Sequence, residues 1–154
     1  MPPATQPFDA PARAGEAVSV PVAASTILYA GTLGGINAAG NAVPAADAAN
    51  LRGIGRVAET VDNSGGSAGD KAVVLQRGVY RWKNSASDAA TVAHLGGPVY
   101  VEDDTTISSA PGDHGVIAGE LVALDGGAWV DTRLAGAHRA AQDALADALA
   151  ADGA

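Results

Sequence analysis

"GIGRVAETVDNSGGSAGDKAVVLQRGVYRW", residues 53–82, is where the choice of fold is made. Its first six residues, Gly53-Ile54-Gly55-Arg56-Val57-Ala58, spell G-x-G-x-x-A, a permitted form of the dinucleotide-binding fingerprint. That fingerprint works only where a strand precedes it and a helix begins inside it, because the helix N-terminus holds the pyrophosphate. Here β-branched residues stand where the helix should begin, and Gly65-Gly66 closes the segment after one strand length. No alternation of strands and helices follows. The stretch therefore reads as strand, turn and strand. Gly53 and Gly55 then allow a bend, a bulge or the close approach of another backbone, and no nucleotide cofactor is expected.

The same pattern extends to both sides. In "EAVSVPVAA", Val18, Val20 and Val22 share one face by period-two spacing. Further strands are expected at Ser25–Tyr29, Ile54–Val61, Lys71–Gln76, Val79–Lys83, Pro98–Glu102, Val116–Leu124 and Ala128–Asp131, separated by Gly, Asn and Asp clusters. Asp125-Gly126-Gly127 is a strong tight-turn signal, and Gly40-Asn41 a weaker one. Gly53, Glu59, Gly69-Asp70 and Val73 recur in order and spacing as Gly96, Glu102, Gly112-Asp113 and Val116, which suggests two similar hairpin-like units.

The two ends differ from this middle. Pro2, Pro3, Pro7 and Pro11 disfavour helix and ladder pairing, so residues 1–15 read as an extended arm that carries Phe8, the only Phe. The arm has no charged and apolar leader pattern, so no signal peptide is expected. "LAGAHRAAQDALADALAA", residues 134–151, is rich in Ala and Leu and predicts a helix. Leu134, Ala141, Leu145 and Leu149 fall near one face of it, with Arg139, Gln142, Asp143 and Asp147 mostly off it. The expected fold is mainly β. It is a small barrel- or sandwich-like domain of short strands over 16–133, with the arm at 1–15 and an amphipathic helix and tail at 134–154.

Composition narrows the function. Of 154 residues 47% are apolar, but alanine dominates, with one Phe and one Met. Burial is worth roughly 25 cal/mol per Å² and alanine offers little area, so the core is thin and neighbours are an expected source of stability. With 9 Lys and Arg against 17 Asp and Glu, the net charge of −8 argues against nucleic acid and against a polybasic membrane patch. Cys is absent, which removes disulfides and thiolate metal sites.

The chemical motifs are weak. His94, His114 and His138 have no metal-site spacing, and Glu102-Asp103-Asp104 lacks the pattern of a Ca²⁺ loop. Asp113-His114 has no G-x-S-x-G partner. No catalytic residue, cofactor or metal is expected, and the chain is not read as an enzyme. Tyr80 and Trp82 share a strand face and are expected at a subunit interface, together with Leu145 and Leu149 of the helix. Arg52, Arg56, Arg77 and Arg81 form a central basic group that could meet an acidic surface.

The order of these features resembles the capsid cement, or decoration, proteins of tailed bacteriophages. The residues that carry the resemblance are Gly31-Thr32-Leu33, Gly53 to Ala58, and Gly69-Asp70-Lys71-Ala72-Val73-Val74 with Gly78, within a stretch of about 16–131. The resemblance implies a virion protein, made in the host cytoplasm, that binds the outer surface of the expanded capsid. It also implies a homotrimer that bridges subunits of the major capsid protein, with no nucleic-acid or membrane partner. The arm, with Pro7, Phe8, Pro11 and Arg13, is then the expected capsid-binding segment. The long Ala/Leu helix departs from a minimal member of that family. The alternative is a β-rich binding module displayed on a virion, with carbohydrate stacked on Tyr80, Trp82 or Trp129.

Overall fold

The computed structural model describes residues 2–3, 5–7, 9–11 and 15–153. Twelve strands and one α-helix follow in chain order: β1 (Ala17–Pro21), β2 (Thr26–Leu28), β3 (Leu33–Ile36), β4 (Ala42–Pro44), β5 (Arg52–Val57), β6 (Val61–Asn63), β7 (Ala72–Gln76), β8 (Val79–Asn84), β9 (Pro98–Asp103), β10 (Thr106–Ser108), β11 (Ile117–Leu124), β12 (Ala128–Asp131) and α1 (Ala135–Asp152). The chain is mainly β, with a small barrel and a single C-terminal helix, as the sequence predicts.

The strands build two units. The first is a five-stranded antiparallel sheet in the order β1-β7-β5-β3-β4. Its outer strands approach each other at a bridge between Val22, just past β1, and Ala42 of β4, so the sheet curls towards closure. The second unit is a closed barrel, β10-β8-β12-β11-β9, in which only the β10–β8 pair is parallel. A short β2–β6 pair forms its own small sheet, packed on the first unit through Leu28.

Each unit has its own apolar interior. Val20, Val22, Leu28, Val57, Val73 and Leu75 fill the first. Trp82, Val99, Val101, Ile107, Leu121 and Val130 fill the second, joined by Leu33 from β3. The valines of β1 behave as their spacing predicts: Val18 is half-buried, and Val20 and Val22 are buried.

Glycines set how closely the units meet. On β5, Arg52, Ile54 and Arg56 face outwards and Gly53, Gly55 and Val57 face inwards. A Cβ at Gly55 would collide with the carbonyl of Gln76, and one at Gly53 would lie 2.8 Å from the carbonyl of Ile117 on β11. Gly53 thus lets the sheet lie directly against the barrel. Both pair with glycines of β3, Gly34 with Gly55 and Gly35 with Gly53, across a register shift. The fingerprint stretch is therefore a strand shaped by close packing.

The suspected repeat has a limited counterpart. Under the same offset, the Arg56–Gln76 pair of β5 and β7 becomes the observed Val99–Gly119 pair of β9 and β11. Gly69 and Gly112 both take positive φ, 86° and 63°. The correspondence stops there, because β5 borders β3 whereas β9 borders β10.

Several expectations need correction. The run Ile54–Val61 is broken after Val57, and Val61 belongs to β6. Here Thr60 turns its hydroxyl oxygen to the N–H of Ala30 at 3.0 Å. Strands β3, β4 and β10 were not expected. Leu134 lies in a 3-10 turn, Thr132–Leu134, ahead of the helix, and that turn is capped by the Asp131 side chain.

Candidate functional site

The arm meets the first sheet at β7. The Arg77 guanidinium donates to the carbonyl of Gly15, and its backbone N–H donates to the carbonyl of Glu16 at 2.5 Å. Before that point Pro7 and Pro11 are exposed and outside any strand, whereas Phe8 and Arg13 lie outside the described residues.

The aromatic pair is placed differently from expectation. Tyr80 and Trp82 do share a face of β8, but that face is the inside of the barrel. Trp82 is only 6% exposed and its indole N–H donates to the carbonyl of Gly31 at 3.0 Å. Tyr80 is half-buried and meets Trp82 edge-on, with ring centroids 5.8 Å apart. Closure of the barrel accounts for this, since a closed sheet has one interior and the largest side chains fill it. Trp82 therefore belongs to this chain's own core, not to a subunit interface. It is equally unavailable for stacking a sugar. Trp129 is half-buried, with the Arg81 guanidinium 5.7 Å from its ring centroid.

The helix also turns a different side to the body. Ala135 is buried, and three polar contacts follow it. His138 Nε2 lies 3.0 Å from Glu120 Oε1, Arg139 donates to the carbonyl of Gly53 at 3.1 Å, and Gln142 donates to the carbonyl of Gly115 at 3.1 Å. The leucine face does not dock: Leu145 and Leu149 are 62% and 64% exposed. The second half of α1, from Asp143 to Asp152, is exposed on every side.

The basic group divides. Arg81 leaves it for the outer wall of the barrel, over Trp129. Arg56 donates to the Gln76 side chain at 2.9 Å and lies 5.6 Å from the Tyr80 ring centroid. Arg77 joins Arg133 and Arg139 around a hollow whose apolar wall is Ile54, beside the first turn of α1. Burial, and then the positive charge of Arg52, pull the Arg139 guanidinium below its ordinary value. Arg52 lies two residues from Ile54 on the same face of β5. The alternation Arg52, Ile54, Arg56 along one strand signals part of this face. Arg133 and Arg139 arrive from a distant segment and carry no local signal.

Carboxylates elsewhere hold turns. Asp47 accepts from the backbone N–H groups of Asp113 and His114 at 2.8 and 2.9 Å, and the Asp113 bond is the leading reason its carboxyl sits below the ordinary value. Asp131 is lowered chiefly by the Arg133 side chain, at 2.9 Å. Asp62 and Asp70 accept from Ser64 and Ser67 within one polar loop, each at 2.9 Å. Burial raises the Asp104 carboxyl, and the charge of Asp103 adds to it. His94 accepts from the Thr91 N–H at 2.9 Å and His114 rests against Asp47. Among the described residues no three His, Asp or Glu side chains gather as metal ligands. No described helix is long and apolar enough to cross a membrane. Comparison with known protein families, with curated proteins and with solved structures finds no match for this chain.

Proposed function

We propose that the chain is a structural virion protein that binds the outer surface of an expanded phage capsid, as a homotrimer, and bridges major capsid protein subunits. The observation that carries this reading is where uncommitted surface lies. Many carboxylates of the body hold turns and three polar groups dock the helix, whereas the described arm residues and the second half of α1 are exposed. In this reading function is carried by extended surface at the two ends of the chain. Shallow contacts of this kind gain strength when repeated over a shell. The arm supplies the capsid contact, by lying along the capsid protein, and the two β units supply the bridge.

Co-sedimentation with expanded heads that lack the protein tests this. Saturable binding that makes the heads more resistant to heat is expected. A variant without residues 1–15 should keep its fold and lose binding. Failure of the intact protein to bind heads at any stage of maturation would overturn the proposal, and undiminished binding by the truncated variant would overturn the role of the arm.

A further inference from the structure

The hollow at Ile54 and the free end of α1 have complementary chemistry. Arg77, Arg133 and Arg139 surround the hollow, and Arg52 lies beside Ile54 on the same face of β5, four of the 9 cationic side chains in a chain of net charge −8. Of these four, among the described residues, only Arg133 is within ion-pair distance of a carboxylate, Asp131 at 2.9 Å. The charge of Glu16 also acts on Arg133. Arg77 and Arg139 each donate to a backbone carbonyl, which leaves most of their N–H groups available. Ile54 is half-buried and gives the hollow an apolar wall.

The free end of the helix offers the opposite set. Leu145, Ala148, Leu149 and Asp152 line one face at helical spacing. Asp143, Asp147 and Asp152 are the only charged side chains in residues 140–153. The C-terminal end of a helix adds the negative end of its dipole.

One copy cannot bring the last turns of its helix to its own hollow; only Asp143, one turn on from Arg139, acts on that guanidinium within the chain. A helix rises about 1.5 Å per residue, so Leu149 stands about 15 Å along the axis from Arg139 on the same rigid rod. We propose that the acidic, leucine-bearing half of α1 from one copy docks in the arginine-lined hollow of the next. Leu145 and Leu149 then cover Ile54, and Asp147, Asp152 and the last-turn carbonyls meet Arg52, Arg77 and Arg139. The contact joins two different patches, so it is heterologous and closes into a ring where the rotation allows. It concerns this chain alone and stands apart from the capsid reading.

Sedimentation of the full-length protein, without capsids, tests it. The wild type should assemble in a concentration-dependent way, and about 0.5 M salt should weaken assembly roughly tenfold or more, by screening. Two variants change exposed positions: the doubly substituted Arg52→Glu, Arg77→Glu, and the single Leu149→Asp. Each should be a folded monomer by circular dichroism. Mixed together they should form a dimer and nothing larger, because only the helix of the first and the hollow of the second remain intact. A monomeric wild type at all concentrations would overturn the inference. So would assembly lost in Leu149→Asp but unchanged in the arginine variant, which is the signature of a symmetric helix bundle.

Discussion

The β units and the C-terminal helix are held by different means. Inside the barrel, Leu121, Val99, Ile107 and Val130 are sealed from water, and the strands close around them. The helix rests on one buried alanine and three polar contacts, with its leucines turned to solvent. Buried aliphatic groups each contribute about 1.5–3 kcal/mol, whereas one hydrogen bond adds about 1 kcal/mol net. The body is therefore the stable part, and the helix is an appendage positioned by it. An amphipathic pattern identifies the apolar side of a helix but does not fix which side faces the body.

Three substitutions sharpen or break this contrast. Gly55→Val should have the largest effect. Its side chain would be driven into the Gln76 carbonyl, a backbone group that cannot swing aside. A loss of about 4 kcal/mol or more is expected, or no cooperative transition at all, in urea unfolding followed by circular dichroism. A near-wild-type midpoint would mean that β5 and β7 can separate freely. Leu121→Ala, at a site with 0% exposure, should cost about 2–5 kcal/mol in the same experiment. A cost below about 1 kcal/mol would show the barrel interior to be loosely filled. Removing residues 143–154 should matter least, within about 0.5 kcal/mol, at a protein concentration too low for assembly. If this truncation costs as much as Leu121→Ala, the helix belongs to the core and the contrast fails.

The sequence announces some of these features better than others. Strands with apolar residues at period-two spacing, such as Val18 and Val20 of β1 and Val73 and Leu75 of β7, are legible because their pattern matches their burial. Leu33-Gly34-Gly35-Ile36 is not, since glycine weakens a strand unless another backbone needs the space, and here β5 does. Ala42-Val43-Pro44 and Thr106-Ile107-Ser108 are too short for period-two spacing to register. The pairing of Tyr80 with Trp82 is legible, but which way their face turns is settled by closure of the barrel through β9, β11 and β12. The arginine hollow assembles residues from β5, the end of β7 and the start of α1, and only folding brings those together.

Closure of the barrel has a consequence for life at high density. An open strand edge is a row of unpaired N–H and C=O groups onto which any neighbouring chain can add a strand, and repeated addition grows fibres. The barrel has no such edge. In the first sheet the outer strands meet at Val22 and Ala42, and each ends in a proline, Pro21 and Pro44, which lacks an N–H to offer. The barrel can therefore be packed against neighbouring copies with little risk of templated aggregation through its backbone, which leaves the short β2–β6 pair as the sheet with two open edges. Side-chain chemistry is left to decide which faces touch.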